Sequence, residues 1–185
     1  MAAATDRLFF ALRPDERTAA RIEALAQALR REHGLRGRSL GPQRFHVTLH
    51  LVGDFVGPIP QPLLQEALAA VRVVAARASA FELAFDSVGS FTRKRRNMPL
   101  VLLGEQGLRD ARDLQRDLLA ALVAGGLAEE PTSSFTPHLT LLYDDIPLPP
   151  CPVEPVAWRA DALYAMRSLL GRGRHEVIAR LPLGR

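Results

Sequence analysis

A four-residue pattern occurs twice in this chain, 92 positions apart: His46-Val47-Thr48-Leu49 and His138-Leu139-Thr140-Leu141. In each copy a histidine and a threonine stand two residues apart inside an apolar run. Along a β-strand successive side chains point to opposite faces. His and Thr therefore share one face, while Val47 and Leu49, or Leu139 and Leu141, share the other. A fold that satisfies both copies needs two strands, each with its apolar face on a core and its polar face turned to a cleft.

The rest of the chain alternates strand and helix signals. Leu8–Leu12 reads as a short buried strand. Pro14 suits a first helical turn, with Asp15 and Glu16 at the positive helix end, and Ile22, Leu25, Ala26 and Leu29 extend a helix over 14–32. A Gly/Arg loop over 34–41 leads into a strand over 44–52 that carries the first motif. Leu64, Leu68, Val71 and Ala75 mark a second helix after Pro58, Pro60 and Pro62. Phe81–Phe85 and Leu100–Leu103 read as strands. Leu108, Ala111, Leu114, Leu118 and Leu122 mark a third helix, stopped by Gly125-Gly126. The second motif strand follows. Five prolines over 147–155 predict a loop, and Trp158–Leu163 and Glu176–Leu181 predict closing strands. The order implies an α+β protein, and the recurring motif hints at two related halves that otherwise match little.

With 185 residues, 48% of them hydrophobic, the chain can bury a sizeable core. A net charge of +4 suits an anionic ligand without identifying one. The lone Cys151 rules out an intramolecular disulfide, the N-terminus lacks a signal-peptide pattern, and no uncharged apolar run reaches ~18 residues. A cytoplasmic protein is expected, with no membrane partner.

Two histidines on facing strands supply what cyclic phosphodiester hydrolysis requires. Imidazole has an ordinary pKa near 6.5, so one copy can be neutral and the other protonated. The neutral ring removes a proton from water attacking phosphorus, and the imidazolium protonates the departing ribose oxygen. Each transfer is typically worth ~10²–10⁴-fold. Thr48 and Thr140 offer hydroxyl donors to the phosphate oxygens. The scheme calls for no metal and no cofactor. A single His-x-Thr carries little weight, and threonine is common on strands for packing reasons alone. Two histidines in matched frames are harder to explain by packing.

These residues, with their surroundings, resemble the two-histidine phosphoesterases, and within them the RNA 2′,3′-cyclic phosphodiesterases, also called 2′-5′ RNA ligases. The resemblance runs through Arg7–Leu12 with Pro14, Phe45–Leu49 with Leu51-Val52-Gly53, Gly89-Ser90-Phe91, Phe135–Leu141, Trp158 and Arg180–Leu183. It implies a bilobal α+β fold over 1–185, with two antiparallel sheets around a central cleft and helices packed outside. It also implies hydrolysis of an RNA 2′,3′-cyclic phosphate to a 2′-phosphate, and reversible 2′-5′ ligation. His46 would be the proton donor and His138 the acceptor. Three positions depart from the family pattern: Tyr143 stands where arginine is common after the second motif, His50 where arginine is common after the first, and His175 where tyrosine is expected.

Other residues have plainer readings beside functional ones. Arg93-Lys94-Arg95-Arg96 reads as a solvated loop, or as a hold on an RNA tail that would make binding salt-sensitive. Phe91 and Tyr143 read as packing or as contacts to a base, and Arg44 as an exposed strand end or a phosphate contact. His46 and His50 would lie roughly 13 Å apart on a strand, too far to share an ion. His33 and Cys151 read as structural or surface residues. Other substrates in view are a small cyclic nucleotide or another phosphodiester. A non-catalytic RNA-binding module is the reading from another class, and a monomer is expected throughout.

Overall fold

The computed structural model describes residues 3–104, 108–129 and 134–184. From Leu8 onward strand β1 (Asp6–Leu12) is apolar on both faces because both faces are covered. Leu8, Phe10 and Leu12 enter the main core, whereas Phe9 and Ala11 join Met166 in a small separate cluster on the other side. This strand pairs antiparallel with β2 (Val47–Phe55) and with β7 (Ala162–Leu169), and β8 (Arg174–Pro182) closes the first sheet in the order β2-β1-β7-β8. The second sheet is built from β3 (Phe81–Ser90), β4 (Met98–Leu103), β5 (Leu139–Asp144) and β6 (Cys151–Ala160), in the order β5-β4-β3-β6 and again antiparallel throughout. Each motif strand, β2 and β5, is an edge strand of its sheet, and the two edges approach each other.

Three helices cover the outside. In α1 (Glu16–Glu32) Ile22, Ala26 and Leu29 recur at helical spacing and are buried. The α1 helix begins later than Pro14: Asp15 is its N-cap, accepting the Thr18 amide at 2.8 Å, so the proline stands outside the helix. His33 closes it as C-cap. Helix α2 (Gln61–Arg77) packs beside β7 and β8, and α3 (Leu108–Ala124) beside β2 and β3. Gly126, at φ +68°, ends α3 in the left-handed conformation, with the Leu127 amide donating to the Leu122 carbonyl at 2.8 Å. One apolar cluster contains buried residues of both sheets and all three helices.

Several boundaries differ from the sequence expectations, each for a local reason. The strand expected over 44–52 starts at Val47, because Pro42–Arg44 forms a 3₁₀ turn, and it runs on to Phe55. The loop expected over 147–155 ends at Pro150. From Cys151 the chain is a strand despite Pro152 and Pro155, because β6 is an edge and Pro155 falls in the register shift opposite Phe85 and Ser87. The single strand expected over 158–163 is two strands in different sheets, divided at Asp161.

Candidate active site

His46 and His138 each stand one residue before their motif strand, in extended backbone rather than inside the ladder. The alternation nevertheless holds. Val47, Leu49, Leu139 and Leu141 are buried, while His46, Thr48, His138 and Thr140 are half-buried and line one cleft of about 410 Å³.

The histidines are held alike. His46 Nδ1 donates to the Arg44 carbonyl at 2.6 Å, and His138 Nδ1 donates to the Thr136 carbonyl at 2.8 Å. A carbonyl only accepts, so Nδ1 carries hydrogen in either protonation state and Nε2 is the nitrogen left to titrate. Both rings are also braced by aromatic neighbours: Phe9 lies 5.0 Å from His46, and Phe91 meets His138 edge-on at 5.0 Å.

Burial pushes the His46 imidazole down to about 4. The Arg44 carbonyl opposes that shift, and the Arg13 and Arg44 guanidiniums with His138 add to it. His175, on β8, packs edge-on against His46 at 5.2 Å and against Phe9 at 5.5 Å. It too is lowered to about 4, by burial first and then by His46, Arg44, Arg13 and Arg7. Burial alone lowers His50.

The other sequence candidates divide between two cavities. Tyr143 and Arg44 line the 410 Å³ cleft. Arg44, expected as an exposed strand end, is half-buried at the end of the 3₁₀ turn beside the cleft. Phe91 and Arg93 line an adjoining cavity of about 730 Å³, together with His50, and the two cavities meet at Thr48, Leu51 and His138. Lys94, Arg95 and Arg96 are exposed and line neither. Among the described residues no group of three or more His, Cys, Asp or Glu could hold a metal ion, and no helix is long and apolar enough to cross a membrane.

Arg7 and Phe9, both from β1, line the cleft and escaped the sequence reading as site residues, and His175, from β8, entered it only as a departure from the family pattern. The usable signal for the first two was period 2. Arg7 and Phe9 share the face of β1 opposite Leu8 and Phe10, and β1 neighbours the motif strand. His175 carried no such signal, because its position depends on β8 closing the sheet.

Two edge strands bringing paired His-x-Thr units to one cleft, in two antiparallel four-stranded sheets with three outer helices, make the fold of the two-histidine phosphoesterases. The chain belongs to the 2′-5′ RNA ligase superfamily, whose family model matches residues 51–172, from just past the first motif through the second. The fold is similar to that of E. coli LigT in complex with 3′-AMP, at 25% identity and TM-score 0.72, with 98% of this chain and 99% of that one covered. A Thermus thermophilus protein is similar in fold at 22% identity and TM-score 0.74, covering 97% and 99%. Kluyveromyces marxianus Usb1 is more distant, at 14% identity and TM-score 0.53, covering 98% and 99%. No curated protein matches the chain.

Proposed function

We propose that this protein hydrolyses the 2′,3′-cyclic phosphate at RNA 3′ ends to a 2′-phosphate, and can join RNA ends through a 2′-5′ bond by the reverse chemistry. The observation that carries this reading is the matched pair of imidazoles in one cleft, each with Nδ1 fixed on a main-chain carbonyl and Nε2 left for proton transfer. His138 Nε2 takes the proton of a water whose oxygen forms the new bond to phosphorus. The bond from phosphorus to O3′ breaks, and His46 Nε2 gives its proton to O3′. The products are a 2′-phosphate and a 3′-hydroxyl, with His46 neutral and His138 protonated. The rings exchange roles in the reverse direction. Thr48 and Thr140 donate to the non-bridging oxygens. Both proton transfers are made by side chains, so no metal or cofactor is needed.

The donor role asks His46 to hold a proton that burial and nearby cations disfavour in the empty cleft. A bound phosphate offsets those cations and draws the proton back. Phe91 and Tyr143 suit contacts with the ribose and base, Arg93 with the RNA backbone. Residues 1–185 act as one catalytic unit, as a monomer, in the cytoplasm. LigT is known in complex with 3′-AMP, a mononucleotide, which supports a nucleotide-sized occupant of the same site, and a small cyclic nucleotide is the second substrate reading.

The test is incubation with an RNA ending in a 2′,3′-cyclic phosphate, with EDTA present, followed by analysis of the product end. A 2′-phosphate is the expected product. A 3′-phosphate would reverse the leaving group, and no product from RNA or from cyclic nucleotides would sink the reading.

A further inference from the structure

The arginines around the cleft differ in what holds them. Arg7 lines it, but its guanidinium is closed on Asp54 by two bonds, at 2.6 and 2.8 Å. Arg13 donates to the Gln43 carbonyl at 3.4 Å and lies over the Tyr164 ring; its Nε is also buried without a partner, but it lines a separate cavity and not the cleft. Arg44 also lines the cleft, yet among the described residues it forms no ion pair, and its Nε is buried without a hydrogen-bond partner. Its guanidinium lies under the Gly171–Gly173 turn, where a Cβ on Gly173 would stand 3.7 Å from Nη1. On the same side, His175 Nδ1 is buried without a partner, and its ring faces His46.

A half-buried cation with an orphaned donor and no counter-charge is costly to keep unless something outside the chain completes it. We infer that Arg44 is the cationic contact for the reacting phosphate, its guanidinium on the non-bridging oxygens from the first-motif side, with His175 beside it. The inference rests on the phosphodiester reading above. After the second motif, where the family resemblance leads one to expect arginine, this chain has Tyr143, so the positive charge sits on the opposite edge of the cleft. A guanidinium fork matches two phosphate oxygens at once. The same residue's carbonyl fixes His46, so the anion's seat and the ring's orientation are set by one residue.

The experiment measures the Kd of inorganic phosphate by NMR of the histidine ring signals, with KM for the cyclic phosphate followed in parallel. Wild type is compared with Arg44→Gln, Arg44→Met and Arg44→Gln/Tyr143→Arg. Arg44→Met keeps the apolar stem packed under the turn, which guards against unfolding. The expected result is a roughly 10- to 100-fold weaker Kd in both single variants. Partial recovery is expected in the double variant, with KM rising as Kd does. Folded variants that bind phosphate as wild type does would overturn the inference. Phosphate binding that depends on Arg44, without turnover of any cyclic phosphate, would leave the anion contact standing and remove the RNA-end reaction.

Discussion

The Oδ2 of Asp144 accepts the backbone amide of Gly37 at 2.6 Å, joining the segment after α1 to the end of the strand that carries the second motif. The same oxygen takes the Arg36 amide at 2.6 Å, and Oδ1 takes that of Ile146 at 2.8 Å. Burial alone would raise this carboxyl, but the amides of Gly37, Ile146 and Arg36 hold it below the usual carboxylate range. Asp144→Ala strands three amides. We expect it to cost about 3 kcal/mol, given roughly 1.5–3 kcal/mol for a bond to a charged group and the added penalty of orphaned donors. Urea unfolding measures it. A loss under about 1 kcal/mol would mean that water replaces the carboxylate.

His46→Ala and His138→Ala are each expected to lower kcat for the cyclic phosphate by ~10²–10⁴-fold. Thr48→Ala and Thr140→Ala should cost less, since each removes one donor and no proton transfer. Single-turnover assays compare the four. Near-wild-type rates in both histidine variants would end the acid–base scheme.

Stability should fall on acidification before the carboxylates titrate. His46 and His175 titrate at about 4 in the folded chain, against ~6.5 when unfolded. Between these values the unfolded chain takes up protons that the folded chain refuses. Stability is therefore whole above pH 6.5 and declines as pH falls toward 4, by up to about 3 kcal/mol for His46, the more enclosed of the two rings, and by less for His175, which water screens more. Urea titrations at pH 7 and pH 4.5 read the loss. His175→Phe, which keeps a ring at the site, should flatten the decline, and an unchanged pH profile in that variant would refute the assignment.

The basic loop can be tested through its salt dependence. Replacing Lys94, Arg95 and Arg96 with alanine should flatten the dependence of RNA binding on salt, by about 0.7 in log–log slope for each phosphate that is no longer neutralised. Fluorescence anisotropy with a labelled oligonucleotide measures it, and an unchanged slope would return the loop to the status of a solvated turn.

Much of this molecule was legible in its sequence because the signals were periodic. Ile22, Ala26 and Leu29 marked α1, Leu64 to Ala75 marked α2, and the alternation around Thr48 and Thr140 marked the two strand faces. The misreadings arose where tertiary context overrides local chemistry. Pro152 and Pro155 speak against a strand, yet an edge with a register shift tolerates both. Ala160 and Ala162 read as one strand because a change of sheet at Asp161 leaves no mark on the apolar pattern. In the site, the His-x-Thr pairs were visible because each lies within three residues. Arg7, Phe9 and His175 were not, because only sheet assembly brings β1 and β8 to the cleft.

The supports of the two motif imidazoles are main-chain oxygens, of Arg44 and Thr136. Any residue can present a carbonyl, so the side chains at these two positions are released from the task of orienting the imidazoles. The side chain at position 136 can change while the tautomer stays fixed, and the one at position 44 is left free to meet the anion. The geometry of proton transfer is thereby separated from the recognition of what is cleaved, and the margin of the cleft can be re-addressed to a new substrate one side chain at a time.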